Sequence, residues 1–161
     1  MSMKKNVFIS HHHKDDASVD KMTNLLKQNG CEIRNSSIRA KPANQERLDK
    51  GLVKDSTIKR LLRMKMSWAG TVIVVVGKET HTRPWVNWEI KEAERQGKNI
   101  VGVYEYGLKD KVELPDALKT SGTSQVAWNS ESIISAISGN PTFQNPDGSP
   151  CARQDGAHSV C

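Results

Sequence analysis

The sequence predicts a single α/β domain built on a mostly parallel β-sheet. The length of 161 residues fits one domain. The run Thr71–Val76 is apolar and almost entirely β-branched valine and isoleucine, without polar alternation. Such a run is typical of a strand that helices cover on both faces. Strand-like and helix-like segments also alternate along the chain, which is the pattern of a parallel sheet with helical crossovers.

The first half of the chain contains two predicted strands and two predicted helices. They are, in order, a strand at residues 6–10, a helix with an apolar stripe from Val19 to Leu26, a strand at 31–34 and a helix at 55–68. Gly30 is expected to end the first helix, because glycine readily adopts the left-handed conformation that follows a helix. The polar segment 35–51 contains Pro42 and predicts a long loop, and long loops in compact domains are often functional.

The second half predicts three more strands, which favours a flavodoxin-like five-stranded sheet with helices on both faces. Its elements are strands at 71–76, 99–104 and, more weakly, 125–127, with helices at 85–96 and 130–138. Residues 4–138 therefore form the predicted domain. Residues 139–161 hold three prolines and three glycines without periodicity, which predicts a flexible C-terminal tail.

Composition points to a cytoplasmic protein. No apolar run approaches the ~20 residues that a membrane span requires, and the N-terminus lacks the apolar core of a secretory signal. Three cysteines are an odd number, and Cys151 and Cys161 fall in the polar tail, so a disulfide framework is not expected. We therefore expect no membrane association.

The net charge of +6 is concentrated in the segment 34–65, which has ten Lys or Arg against three acidic residues. This charge favours a solvated helix face or attraction of a phosphorylated metabolite. Nucleic-acid binding is the less favoured interpretation, because aromatic residues are not interleaved with the basic ones in the sequence.

The loops that follow the strands carry most of the candidate binding residues. In a parallel sheet these loops meet at the carboxyl edge, where helix N-termini favour anions. The basic and histidine residues there are His11, His12, Lys14, Arg34, Arg39, Lys78, His81 and Arg83. We expect a site for a negatively charged group such as a pyrophosphate. His11–His13 have no second ligand cluster to complete a metal site, and no Gly-x-Gly-x-x-Gly loop occurs, so neither a metal nor a cofactor is expected.

Glu89 is the candidate catalytic residue. On the predicted helix it shares one side with Trp85 and Trp88, next to the core stripe. Its position offers no obvious ion pair, whereas Glu92 has Arg95 and Glu94 has Lys98 at helical spacing.

Three segments together resemble a TIR domain: Val7–His11, Val72–Val76 and Trp85–Glu89. The longer stretches FISHHHKDD, from Phe8, and RPWVNWEI, from Arg83, are similar to the TIR-like (ThsB-type) proteins of bacterial Thoeris antiphage defence systems. The resemblance covers residues 4–138. Many TIR enzymes have Cys directly after the Trp, where this chain has Val86.

The resemblance implies an enzyme that cleaves the nicotinamide–ribose bond of NAD, with NAD as substrate rather than cofactor. The catalytic glutamate of the family carries over to Glu89. Its first-strand loop carries over to Phe8, Ser10 and His11 as substrate-binding residues. From the position of the loops and of the aromatic rings, we add as substrate-binding candidates His12, Asn35, Lys78 and Trp85. For Trp85 and Trp88, the alternative interpretation is that the ring packs in the hydrophobic core and does not contact the substrate.

The resemblance also implies partners. The product, an ADP-ribose derivative in linear, cyclic or conjugated form, would be sensed by a separate effector protein. A phage-derived trigger would activate the enzyme, together with self-association. Three alternatives stay open at this stage: a non-catalytic TIR adaptor, a nucleoside deoxyribosyltransferase-like enzyme, and a nucleic-acid binder that uses segment 34–65.

Overall fold

A computed structural model gives the fold, which is a five-stranded, all-parallel sheet in the order β2-β1-β3-β4-β5. It describes residues 5–10, 16–35, 55–78, 80, 84–105, 107–108, 112–140, 142–146 and 148. The strand order and the parallel pairing confirm the flavodoxin-like α/β prediction.

The observed elements follow the predicted ones closely. In chain order they are β1 (Lys5–Ser10), α1 (Asp16–Gln28), β2 (Cys31–Asn35), α2 (Asp55–Trp68), β3 (Thr71–Val76), α3 (Pro84–Arg95), β4 (Asn99–Tyr104), α4 (Asp116–Ser121), β5 (Ser124–Val126) and α5 (Ser130–Ile137). The sequence pattern predicted no element at α4. This helix has six residues and only two buried apolar side chains, Ala117 and Leu118, so it has too little periodicity to detect.

Helices cover both faces of the sheet, as the β3 pattern predicted, and every residue of β3 is buried. On one face, α1 and α5 pack on the odd-numbered residues of β1 and β3, such as Val7 and Ile73. On the other face, α2, α3 and α4 pack on the even-numbered residues, such as Phe8 and Val74. Alternation along the strands therefore assigns each side chain to one of two cores.

At two positions the fold depends on a glycine, which has no side chain. Gly30 follows α1 with φ +81°, which is the left-handed conformation expected there. Gly102 in β4 lies against Leu118 of α4, and a Cβ at this position would come within 2.8 Å of the Leu118 Cδ2 atom. The missing side chain lets α4 approach the sheet.

The segment after α5 is attached to the sheet beyond the predicted domain boundary at residue 138. Phe143 forms a parallel β-bridge with Gln125 of β5. The Gln125 N–H donates to the Thr142 carbonyl at 2.8 Å, and the Gln144 N–H donates to the Gln125 carbonyl at 2.7 Å. This attached segment, residues 142–146, covers the outer edge of β5. Residues 149–161 lie outside the described residues, and for them a flexible tail stays a prediction.

The amino edge of the sheet has an open cleft of about 680 Å³ lined by residues from the starts of strands and the ends of helices. Its polar side chains stabilise the C-termini of the helices. The Asn6 amide donates to the Trp68 carbonyl, the Asn99 amide donates to the Ala136 carbonyl, and the Lys98 ammonium donates to the Ser67 carbonyl. These three side chains of the cleft therefore have a structural role, because they satisfy carbonyl groups near helix ends.

Candidate active site at the carboxyl edge of the sheet

The α3 helix carries Glu89 into the protein interior. The helix begins at Pro84, a residue suited to a first helical position because it has no N–H to satisfy there. Val86, Ile90 and Ala93 form its core stripe and are fully buried. Glu89 lies beside this stripe and is also 0% exposed, although it is an acidic residue. Burial of a carboxylate is costly unless other groups stabilise it, so this position is unusual for a helical glutamate.

The end of β1 lies beneath the same helix. Phe8 packs in one core cluster with Val86 and Ile90 of α3. Ser10 is two residues further along β1, so its side chain points to the same face of the sheet. In the register of the sheet, Ser10 is opposite Val74 of β3. The structure thus brings Phe8 and Ser10 to the sheet face that α3 covers.

Ser10 is a buried polar residue whose hydroxyl group is not satisfied by its described surroundings. It is 0% exposed, and its Oγ atom makes no hydrogen bond with any described residue. The Oε2 atom of Glu89 is likewise buried and accepts no hydrogen bond from that part of the chain, although Glu89 has another interaction partner. Buried polar atoms are normally hydrogen-bonded, so a buried hydroxyl without a described partner needs an explanation, and a bound ligand is one.

A cluster of charged and aromatic side chains joins α2 to α3, and we call it the α2–α3 ladder. It consists of Lys59, Arg63, Trp85, Trp88 and Glu92. The two indole rings meet edge to face, with centroids 5.9 Å apart and planes at 74°. The Lys59 ammonium lies 5.9 Å from the Trp85 centroid and 5.7 Å from the Trp88 centroid. The Arg63 guanidinium lies 5.4 Å from the Trp88 centroid, within cation–π range.

Glu92 ends the ladder as a buried carboxylate between two arginines. Its Oε1 accepts from Arg63 Nε at 2.9 Å, and its Oε2 accepts from Arg95 Nε at 2.6 Å. The hydrogen bond from Arg95 is the main reason why the pKa of Glu92 lies below its ordinary value, and this effect outweighs the opposing effect of burial. The predicted Glu92–Arg95 pair is confirmed. Glu92 thus has a structural ion-pair role between α2 and α3.

The structure describes the remaining candidate binding residues to different extents. Lys78 is exposed just beyond the end of β3, and Trp85 is half-buried within the ladder. Asn35 is the last residue of β2, and nothing is described of its side chain. His11 and His12 lie outside the described residues, so their predicted contacts stay predictions.

Three residues with clear roles at this edge were missed by sequence reasoning. Thr80 is 2% exposed, and its hydroxyl accepts from the Gly77 N–H at 2.7 Å, which fixes the turn after β3. Asn87 lies two residues before Glu89 and accepts from the Ala117 N–H at 3.2 Å, so it caps α4 from a neighbouring helix. Arg63 contacts residues about 25 to 30 positions away. Only Asn87 had a local signal, because it falls within the Trp85–Glu89 motif.

The electrostatics of this edge suit an anion next to a buried carboxylate. The first turn of α3 holds no acidic residue that would neutralise the positive end of the helix dipole. Lys59, in the second turn of α2, and Lys78 add positive charge at the same edge. Within the described part of the chain, no group of three or more His, Cys, Asp or Glu is placed to hold a metal ion. In the same part, no helix is both long enough and apolar enough to cross a membrane.

Comparison with known proteins identifies the family. The family described as "Thoeris protein ThsB, TIR-like domain" matches residues 8–110, which is more than half of the chain and includes the end of β1, α2 and α3. This chain belongs to the ThsB family of TIR-like domains. The matched range contains Ser10, Glu89 and the whole α2–α3 ladder, so the candidate site lies within the ThsB-type region.

Two individual proteins are similar to this ThsB-type chain. A Bacillus cereus (strain MSX-D12) protein named "Putative cyclic ADP-D-ribose synthase ThsB1" is 28% identical over 109 residues, which cover 68% of this chain and 56% of the relative. The chain thus spans little more than half of that relative's length. A crystal structure of a conserved protein from Enterococcus faecalis V583 covers 84% of this chain and 98% of its own, with a TM-score of 0.53 and 12% identity. That likeness supports the fold alone.

Proposed function

We propose that this chain is an enzyme that cleaves the nicotinamide–ribose bond of NAD and produces an ADP-ribose-derived signal in antiphage defence. The observation that carries the proposal is Glu89, a fully buried carboxylate on α3, which covers the sheet face holding Phe8 and Ser10 at the end of β1. Membership in the ThsB family and the name of the Bacillus cereus relative favour a cyclic ADP-ribose product.

The chemistry needs only one carboxylate. The nicotinamide of NAD carries a positive charge and leaves as a neutral molecule when the bond between its ring nitrogen and the ribose C1′ breaks. The bonding electrons go to the nicotinamide nitrogen, so no general acid is required, in contrast to hydrolysis of ordinary glycosides. The positive charge then develops on the ribose, and Glu89 stabilises this oxocarbenium-like transition state while it accepts hydrogen bonds from ribose hydroxyls.

The other residues bind the substrate and exclude water. The Ser10 hydroxyl, which has no described partner, forms a hydrogen bond with the bound nucleotide. The positive end of the α3 dipole and Lys78 attract the pyrophosphate. Trp85 shields the reacting ribose. Attack on C1′ by an adenine nitrogen of the same molecule gives a cyclic product, and attack by water gives linear ADP-ribose, so the exclusion of water decides the product.

The proposal extends to partners. The enzyme acts in the cytoplasm, a phage-derived trigger activates it by self-association, and a separate effector protein senses its product. Light scattering of resting and triggered samples tests self-association, and full activity of a monomer contradicts it.

The decisive experiment compares three forms of the protein in phage-challenged cells: wild type, Glu89→Gln, and Glu94→Gln as a matched control. Glu94 is an exposed glutamate on the same helix, so the control makes the same chemical change outside the site. NAD and its products are quantified by mass spectrometry. We expect wild type and Glu94→Gln to consume NAD, and Glu89→Gln to lose at least ~100-fold in rate.

The alternatives give distinct results in the same experiment. Equal NAD consumption by Glu89→Gln contradicts the role of Glu89. Phage protection by all three proteins without any change in the nucleotide pool indicates a non-catalytic adaptor. Turnover of deoxynucleosides but not of NAD indicates a deoxyribosyltransferase-like enzyme.

A further inference from the structure

The α2–α3 ladder lies on the same turns of α3 as Glu89. Trp85 precedes Glu89 by four residues, Trp88 by one, and Glu92 follows it by three. Contacts at these three positions hold one side of α3 against α2, while Val86, Ile90 and Ala93 hold the adjacent side against the sheet. Glu89 falls between the two sets of contacts, so a rotation of α3 about its axis would move its carboxylate directly.

The size of this effect follows from helix geometry. The carboxylate of a helical glutamate lies roughly 5 Å from the helix axis. A rotation of about 10° therefore displaces it by about 0.9 Å. A misplacement of about 1 Å in a reacting group can lower a rate by about 100-fold.

The ladder is better suited than the apolar stripe to fix this rotation. Contacts between aliphatic side chains are non-directional and tolerate small rotations. The ladder contacts are directional, because the Arg63 Nε–H donates to Glu92 Oε1 at 2.9 Å while its guanidinium faces Trp88. The Arg63 side chain is about half exposed, but the Glu92 side chain is only 5% exposed. The burial of Glu92 strengthens the attraction between the two charges.

We propose that Arg63 is a positioning residue for Glu89, which it orients through Trp88 and Glu92 without contacting the substrate. This inference rests on the proposed NAD-cleaving function. It adds a role for α2, a helix whose sequence predicted a basic, solvated face or attraction of a phosphorylated metabolite.

The test is a double-mutant cycle with Arg63→Gln, Glu92→Gln and the double variant, under conditions where urea titration shows each protein to be folded. Arg60→Gln is the matched control, because Arg60 is exposed on the same helix and makes no ion pair or hydrogen bond among the described residues. We expect Arg63→Gln to lower kcat by about 10- to 100-fold with KM changed less than about threefold. The loss of rate in the double variant should be clearly smaller than the product of the two single losses, because both substitutions remove the same Arg63–Glu92 hydrogen bond.

Two further readouts separate positioning from simple stabilisation. The ratio of cyclic to linear product does not depend on the amount of folded enzyme, and we expect Arg63→Gln to shift it towards linear ADP-ribose by at least about twofold as water gains access. Arg63→Lys keeps a cation near Trp88 and Glu92, so it should recover part of the lost rate.

Each outcome decides the question. A wild-type kcat and product ratio in Arg63→Gln overturns the inference while the proposed function stands. So does a loss in kcat that is fully explained by a smaller folded fraction with an unchanged product ratio. If wild type and Arg60→Gln fail to cleave NAD in triggered cells, the proposed function fails, and the positioning role fails with it.

Discussion

At the residue scale, the candidate site is marked by polar groups that are fully buried. Ser10 and Glu89 are both 0% exposed, and the Ser10 hydroxyl has no hydrogen-bond partner among the described residues. Folding alone would favour an apolar residue at the position of Ser10, because a buried hydroxyl without a partner is destabilising. The proposed function accounts for this hydroxyl by giving it a hydrogen bond to the bound nucleotide.

The substitution Ser10→Ala tests this interpretation. Removal of the unsatisfied hydroxyl should leave the free energy of unfolding unchanged or raise it by up to about 1 kcal/mol. The same change should lower the rate of NAD cleavage by at least about tenfold, because the hydrogen bond to the substrate is lost. Urea titration and a turnover assay on the same sample measure both effects. A clear loss of stability in Ser10→Ala would instead show that the hydroxyl supports the fold.

At the element scale, polar side chains connect neighbouring strands near the site. The Tyr104 hydroxyl at the end of β4 accepts from the Gln125 amide of β5 at 2.6 Å, and the same amide donates to the Gln144 carbonyl at 3.2 Å. Burial raises the pKa of Tyr104 to about 12, against an ordinary value of 10.0, although the hydrogen bond from Gln125 opposes the shift. Tyr104 therefore links the core beneath α3 to the attached segment 142–146.

The raised pKa predicts a specific alkaline weakness. The folded protein holds the Tyr104 proton more tightly than the unfolded chain, so this stabilisation is full below pH 10 and is lost as the pH rises towards 12. Tyr104→Phe should reduce the free energy of unfolding by about 1 kcal/mol at pH 8, because one hydrogen bond is lost. The difference between the two proteins should shrink or reverse near pH 11. Urea titrations at both pH values check this, and a difference independent of pH would contradict it.

At the scale of the whole molecule, the sheet is closed at the β5 edge by residues 142–146. Residues 142–146 form three hydrogen bonds with the main chain of Gln125 and Ala127. One of them runs from the Ala127 N–H to the Gln144 side chain at 3.1 Å. An uncovered edge strand would expose unpaired N–H and C=O groups to other chains. The attached segment therefore contributes to both stability and solubility.

Truncation measures that contribution. A chain that ends after Asn140 keeps the C-terminus of α5 but loses these three hydrogen bonds and the one from the Gln125 amide to the Gln144 carbonyl, so its free energy of unfolding should fall by at least about 3 kcal/mol. A chain that ends after Gly148 retains the segment and serves as the control. Thermal and urea unfolding of both chains give the comparison. Equal stability of the two would show that residues 142–146 do not hold the edge of β5.

The sequence by itself determined the elements, the class of fold and the candidate catalytic residue. The unbroken apolar run of β3 and the 3.6-residue periodicities of α1, α2 and α3 are local patterns, and local patterns are readable from one chain. Glu89 was predicted because its helical neighbours in the sequence offered no obvious ion pair and because the Trp85–Glu89 segment resembles a TIR domain. The six-residue α4 and the attachment of residues 142–146 were not found, because short elements carry little periodicity and are stabilised mainly by distant contacts.

Only the tertiary structure decided which distant residues lie on the same face of the sheet. Ser10 and Glu89 are 79 positions apart in the sequence. The register of the sheet and the packing of α3 against it place both residues in the same buried layer. Arg63 and Glu92 are 29 positions apart and meet only because α2 and α3 pack side by side on the same sheet face. No local pattern encodes such pairs, because they depend on how whole elements pack and on which side chains remain buried at the end of folding.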